Sequence, residues 1–375
     1  MASRSDRTAG QWWDWHGDYV DVAIDELRAL GYAAYEAAGA SPADARFLFN
    51  GELDKTLQGD HARGIVYTPA NIRLARAGTL DLAAPIEIVR ERGATAVVSG
   101  GVGAVGRLVC KRAMELAIER AREFGVGVVG AHGGAGLLTQ FVQLAVDAGM
   151  IGIVLSQTGP AVAPLGGYEP LLGNGPFAVG IPAGEHDPVI VDMSFTQTSA
   201  SGVMLAAQQG EQIPEGLILD RDGQPTTDAR DFAPVDGNAR TGREGAQGTL
   251  LPLGGHKGYA MLVALGLLSS LLSDTNAPWE LTSEFAERGT TGSVLIAIDA
   301  GALNPNDVPA RVDAFIDRVG AAPRKDGVDE VLYPGQRSQQ LRRERREQGT
   351  VSVPVPHLEA LQALSQLDAP AATET

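Results

Sequence analysis

The chain has 375 residues, is 44% hydrophobic and 5% aromatic, and carries a formal net charge of −16. That length suggests two or three domains, or one large domain with appendages, and the apolar share is enough for a sizeable core. The acidic balance argues against a nucleic-acid partner and against binding to anionic membranes. Cys110 is the single cysteine, so no intrachain disulfide is expected. The histidines are scattered, and no metal cluster is expected. Neither a signal-peptide pattern nor an apolar run of membrane-spanning length is visible, so the expected setting is the cytoplasm.

Residues 1–20 read as a polar tail interrupted by Trp12, Trp13 and Trp15. Asp21–Ala38 is expected to be an amphipathic helix. Ser41-Pro42-Ala43-Asp44 starts a second one, with serine as cap, proline in the first turn and aspartate at the positive dipole end. It runs to about Leu57. A loop follows with Asp60, His61 and Arg63 close together, and Pro69–Ala77 is a short helix closed by Gly78. Residues 94–100 read as a strand. Gly101-Val102-Gly103-Ala104-Val105-Gly106 then fits the G-x-G-x-x-G pattern ahead of a helix, Arg107–Glu123. In a dinucleotide-binding turn the next strand should end in an acidic residue that holds the ribose. The next strand, Gly125–Ala131, is followed by His132 instead, so the pattern fits a packed glycine turn at least as well.

The stretch from Val126 to Gly136 delivers His132 to a glycine-rich helix start, where free N–H groups and a positive dipole end favour anions. A chance histidine in a tight strand–turn–helix connection fits the same residues. Leu137–Ala148 is the helix, and Met150–Gln157 is a strand leading to Thr158. A Gly/Pro-rich loop spans Gly159–Pro176; anchored throughout by apolar residues, it reads as functional rather than disordered. Phe177–Ile181 and Val189–Met193 are strands. Asp222-Gly223 turns a hairpin within Gln212–Ala229. Residues 231–248 are loop-like. Gly254-Gly255-His256-Lys257-Gly258 opens the helix Tyr259–Leu272 and suits an anionic ligand. Ser293–Ile298 is a strand; Pro309–Val319, Ser338–Glu347 and His357–Leu367 are helices. His16, His186 and His357 read as surface residues.

Several stretches together resemble the malate/L-lactate dehydrogenase-type family, a group unrelated to the usual lactate dehydrogenases. They are Gly149-Met150-Ile151-Gly152-Ile153, the run from Val162 to Pro176, Pro214-Glu215-Gly216, Asp222 to Asp228, Leu251 to Gly258, and Tyr333-Pro334-Gly335. The family includes L-sulfolactate, ureidoglycolate and malate dehydrogenases, 2,3-diketogulonate reductase and Δ1-piperideine-2-carboxylate reductase. The match runs in order over roughly residues 21–365.

The resemblance implies an α/β (α+β) fold that is not a Rossmann unit. It is an L-sulfolactate dehydrogenase-like fold, with a large mixed sheet over residues 93–319 for cofactor and substrate. A helical layer forms from residues 21–92 with 320–375. The implied assembly is a homodimer with a shared active site. The implied chemistry is hydride transfer between NADH or NADPH and a 2-oxo acid or cyclic imine, with no metal. A histidine with a pKa near the working pH exchanges the accompanying proton. The family's two substrate-site histidines align on His61 and His132, with Asp60 and Arg63 beside the substrate. The cofactor pattern maps onto Ser156, Thr158, Asp192, Ser194, His256, Lys257 and Gly335.

The chain also departs from the pattern. The family reads Ser-His-Gly-Val-x-Arg where this chain has Asp60-His61-Ala62-Arg63-Gly64-Ile65. The arginine that would bind a substrate carboxylate is thus Ile65, with Arg63 two residues earlier. The second histidine stretch, Ala131-His132-Gly133, is one residue shorter. These changes fall on the substrate side and point to a specialised reductase of a cyclic imine or a bulky oxo compound. The other readings are a repurposed nicotinamide-binding protein and a Rossmann-type dehydrogenase using Gly101–Gly106.

Overall fold

The computed structural model describes residues 12, 14–232, 248–280, 291–304 and 306–366. In chain order the helices and strands are β1 (Tyr19–Ala23), α1 (Ile24–Ala37), α2 (Pro42–Leu57), α3 (Tyr67–Arg76), β2 (Glu87–Arg92), β3 (Thr95–Ser99), α4 (Gly106–Phe124), β4 (Val126–His132), α5 (Thr139–Asp147), β5 (Ile151–Ser156), β6 (Phe177–Ile181), β7 (Val189–Met193) and α6 (Ala200–Gln209). They continue as β8 (Ile218–Leu219), β9 (Pro225–Thr226), β10 (Thr249–Leu250), α7 (His256–Ser273), β11 (Gly292–Ile298), α8 (Ala300–Leu303), α9 (Val308–Gly320), α10 (Gln336–Gln348), β12 (Thr350–Pro354) and α11 (Val355–Ser365).

The N-terminal and C-terminal segments form one layer. Tyr-Val-Asp-Val-Ala alternates as a strand should, and β1 pairs antiparallel with β12, Tyr19 opposite Pro354 and Ala23 opposite Thr350. Val22, Val351 and Val353 point into a core shared with Leu27, Leu48, Phe49 and Leu53 of α1 and α2 and with Leu361 of α11. The helix expected over Asp21–Ala38 therefore begins only at Ile24, because the preceding residues are claimed by a partner strand more than 300 residues away. In α2, Ser41 Oγ accepts from Asp44 N at 3.2 Å, the cap its sequence announces.

The main sheet has seven strands in the order β2-β3-β4-β11-β5-β6-β7, and only β3 and β4 run parallel. The βαβ unit β3–α4–β4 exists, but the doubly wound sheet of a Rossmann domain does not form around it. A Cβ on Gly106 would lie 2.6 Å from Gly134 O and 2.7 Å from Gly134 N, so this glycine packs α4 against the backbone after β4.

Pairing fixes which residues share a face. Val129, Leu295, Val154, Ala178 and Asp192 stand opposite one another in successive strands and so lie on one face, under α4 and α5. α7 packs on the other face, so close that a Cβ on Gly130 would meet Leu272 O at 2.4 Å. A small sheet, β10-β8-β9, carries the hairpin turned at Asp222-Gly223. β2 and α6 carry no clear sequence signal; every residue of β2 is exposed at the sheet edge, so no buried side imposes alternation. Trp13 and residues 233–247 lie outside the described residues. No helix among them is long and apolar enough to cross a membrane.

Candidate active site

The last turns of α2 carry the charge that organises the site. Lys55 is almost wholly buried, and its ammonium donates to Asp192 Oδ2 at 2.8 Å and to Thr139 Oγ1 at 3.0 Å. Thr139 Oγ1 in turn donates to Asp192 Oδ2 at 2.5 Å. Three elements meet here: α2 supplies the lysine, the first turn of α5 the threonine, and the end of β7 the aspartate. Burial alone would raise the Asp192 pKa, but Lys55 and Arg63 outweigh it and hold the carboxyl at about 2. Asp192 is therefore a carboxylate at any ordinary pH.

One turn earlier, Glu52 is fully buried and accepts from Tyr35 Oη (2.7 Å), Thr68 Oγ1 (2.5 Å), Asn71 Nδ2 (3.0 Å) and Arg107 Nη1 (2.7 Å). Burial pushes the Glu52 carboxyl up from its ordinary range although Arg107 and the neutral donors pull it down. Arg107 also donates to Leu48 O (2.7 Å) and Gln140 Oε1 (2.6 Å). This network ties α2, α4 and the start of α5 together, which fixes Lys55 against Thr139.

Two cavities adjoin the cluster. A small one of about 170 Å³ is lined by Lys55, Asp192, Thr139, Arg342 and Gly335 among others, and a larger one of about 570 Å³ by His61, Gln197, Thr198 and Ser199 among others. Gln58, Asp60 and Arg63 line both, so the loop after α2 is their common wall. Arg63 pairs with Asp60 at 2.7 Å. Burial works against the guanidinium charge, but Asp60 and Asp192 outweigh it and raise the Arg63 pKa. In the small cavity Arg342 Nε and Gln339 Oε1 are buried without a partner among the described residues.

The structure thus gathers Asp60, Arg63, Asp192 and Gly335 around one small cavity. Gly335 belongs to the Tyr333-Pro334-Gly335 turn, which docks on β7 through Ile190 N to Pro334 O at 3.2 Å. Its φ is +90°, and a Cβ would lie 2.8 Å from Ile190 O, so only glycine fits. His61 faces the larger cavity, edge-on to Tyr19 with ring centroids 5.2 Å apart. His132 is elsewhere. It stands opposite Gly292, three residues from Val129, and so on the α7 face of the sheet rather than the Asp192 face. Its Nε2 is buried and has no partner among the described residues.

Of the other residues expected at the cofactor, Ser156 is buried, bonding Ser293 Oγ at 2.8 Å and accepting from Ala135 N at 3.1 Å. Thr158 cinches the Gly/Pro-rich loop through Asn174 N (3.0 Å) and Asn174 Oδ1 (2.9 Å). Ser194 bonds Thr196 Oγ1 at 2.8 Å. His256 and Lys257 are exposed at the start of α7, where Gly255 gives no side-chain cap and Gly254 and Gly255 leave open space around them. That uncapped turn with its free N–H groups and an ammonium fits a dinucleotide pyrophosphate. The Thr196–Pro252 bridge places it next to the Gln197–Ser199 wall of the larger cavity. His357, expected at the surface, is half-buried with its ring 5.5 Å from Trp15, and burial together with His61 lowers its pKa to about 4.

The mixed sheet flanked by a helical layer is shared with solved dehydrogenases. The sulfolactate dehydrogenase of Methanocaldococcus jannaschii superposes with a TM-score of 0.78 at 28% identity, over 92% of this chain and 96% of that one. The malate/(S)-sulfolactate dehydrogenase of Methanothermus fervidus is 33% identical over 88% of this chain and 92% of its own length. The Δ1-pyrroline-2-carboxylate/Δ1-piperideine-2-carboxylate reductase of Pseudomonas putida is 29% identical over 92% and 97%. The profile of the malate/L-lactate dehydrogenase family matches residues 22–362. The chain belongs to that family and is an oxidoreductase; the Rossmann reading of Gly101–Gly106 falls with the fold.

Proposed function

We propose that the chain is a reductase that passes hydride from NADH or NADPH to the carbon of a 2-oxo acid or a cyclic imino acid. The observation that carries this reading is Arg63, a guanidinium on the wall shared by two cavities and next to the Lys55–Asp192 pair. A planar, permanently charged fork suits a substrate carboxylate, which would exchange places with Asp60 on Arg63. The nicotinamide supplies the hydride. The open start of α7, with His256 and Lys257, is the part of the chain suited to hold its pyrophosphate, and Gly335 and Asp192 line the cleft beyond. His61 is the imidazole of the larger cavity.

The active unit in this reading is a homodimer. α7 leaves Met261, Leu267, Leu268, Leu271 and Leu272 exposed along one flank, an apolar surface that a second copy would cover.

The test is a turnover assay with both cofactors against 2-oxo acids and Δ1-piperideine- and Δ1-pyrroline-2-carboxylate, with cofactor binding followed by tryptophan fluorescence. Arg63→Met should raise KM for the carboxylate substrate roughly 10- to 100-fold, the loss of one charge-assisted contact. If neither nicotinamide binds, the reading is wrong. Cofactor binding with no turnover across the panel would identify a repurposed nicotinamide-binding protein instead.

A further inference from the structure

We propose that the segment ahead of β1 is a substrate-selecting wall of the larger cavity, where Trp12 receives an apolar tail and Asp14 turns away a second anionic group. The proposal rests on the reductase reading, with the substrate carboxylate on Arg63 and His61 as the imidazole of that cavity. The substrate selected is a monocarboxylic 2-oxo or imino acid with an aryl or branched alkyl tail.

The segment is held from two sides. Gln209, at the end of α6, accepts from His16 N at 2.7 Å and donates to Asp14 O at 2.9 Å. His16 Nδ1 lies 3.0 Å from Glu211 Oε1. On the side of the helical layer, Tyr19 Oη donates to Asp14 Oδ1 and to Trp15 O, both at 3.1 Å. Asp18 O accepts from Val355 N at 3.0 Å, and the Trp15 ring stands 5.5 Å from that of His357. The chain is thus tied to both α6 and α11, and Trp12 and Asp14 line the larger cavity with His61 and Arg63. Both precede residues 22–362, the stretch that matches the family.

This wall carries two chemistries. Trp12 is half-buried on the apolar cluster that holds Val203, Ala206 and Ala207 of α6, as is Leu217. With Pro214 and Leu217 it gives the cavity an apolar side. A broad indole face there can cover an aryl or branched alkyl group, and removing both from water favours the contact. The ionisable groups lining the cavity are Asp14, Asp60, His61 and Arg63. With the imidazole neutral, two carboxylates face one guanidinium, an excess of one negative charge. A single substrate carboxylate is matched by Arg63 once it replaces Asp60. A second carboxylate or a sulfonate would meet Asp14 with no further cation to hold it, since Lys55 and Arg342 line only the small cavity.

The experiment compares kcat/KM of the full chain for tailed monoanions, untailed monoanions and dianions. The tailed acids are phenylpyruvate and 4-methyl-2-oxopentanoate, the untailed ones pyruvate and Δ1-piperideine-2-carboxylate, and the dianions oxaloacetate and 2-oxoglutarate. The better tailed acid should lead every compound of the other two groups by at least about tenfold. Trp12→Ala should cut its lead over pyruvate roughly tenfold, and Trp12→Phe should keep that lead within about threefold. Asp14→Asn keeps an amide oxygen for Trp15 N and Tyr19 Oη. It should raise the ratio of oxaloacetate to pyruvate about tenfold. A purely structural role for either residue would lower all rates together and leave these ratios in place, with the loss visible in thermal unfolding. An unmoved ratio in Trp12→Ala or in Asp14→Asn overturns the proposal, as does an untailed or dianionic acid as the best substrate. Absence of turnover with every compound overturns the reductase reading and the proposal with it.

Discussion

Replacing Glu52 by alanine should cost about 3–5 kcal/mol of stability, because it leaves a buried guanidinium without its counter-charge. Glu52 has no exposed surface, and Arg107 on the facing helix is nearly as buried. The substitution strips acceptors from Tyr35, Thr68 and Asn71 as well as from Arg107. Tyr35, Thr68 and Arg107 would then be buried and under-bonded, at about 1–3 kcal/mol for a lost partner, although the groups relax together and the costs do not sum. The measurement is thermal and urea unfolding of the two proteins under identical conditions. At roughly 2–4 °C per kcal/mol the melting temperature should fall by about 6–20 °C. The double variant Glu52→Leu with Arg107→Met removes both charges at nearly constant volume and should recover much of the loss. A loss below about 1 kcal/mol for the single variant, or a double variant worse than the single one, would refute the account of this network as a paired, fully committed ion cluster.

The start of α7 and the glycine turn after β3 make opposite predictions about cofactor affinity. Lys257→Ala should weaken NADH or NADPH binding roughly tenfold in a fluorescence titration, whereas Gly103→Ala should leave it unchanged in whatever fraction folds. His357 sets an acid limit on stability. Its pKa of about 4 in the folded chain lies below the ordinary 6.5, so the unfolded chain binds more protons between those values. Stability is full above pH 6.5 and falls toward pH 4, by about 2 kcal/mol at pH 5. In His357→Gln the drop in melting temperature between pH 7 and pH 5 should shrink by a matching amount; an unchanged drop removes His357 from the acid response.

Most helices and strands of the main sheet announce themselves, because burial on a face imposes a period that the sequence displays. Phe177–Ile181 and Val189–Met193 have the same bounds in the chain pattern and in the structure. β1 reads as the beginning of a helix because its pairing partner is remote, and local pattern cannot see β12. The site is harder to read for the same reason. Asp192, Arg63 and Gly335 stand out by motif, but Lys55 and Thr139 belong to helices whose patterns only advertise packing. Lys55 gives no signal of its own in the chain, because Glu52 three residues earlier on α2 offers it an ordinary helical ion-pair partner. In the fold Glu52 is committed to Arg107, and the partner of Lys55 is 137 residues away.

His132 shows how finely strand parity divides this sheet. Ala131 stands opposite Ser293, which stands opposite Ser156, and all three lie on the Asp192 face. A histidine one position earlier would share that face; at 132 it is committed to the α7 side. The small cavity on the Asp192 face is lined by lysine and arginine rather than by His132. Lys55, Arg63 and Arg342 contribute three positive charges to the small cavity and Asp60 and Asp192 two negative ones, an excess of one positive charge in a chain of net −16. The chain as a whole repels anions, so an anion that enters this cavity depends on the local field inside a wall of low dielectric. Arg63 is the cation that both cavities share. Under the proposed reading, an incoming carboxylate would meet Arg63 there and take the place of Asp60.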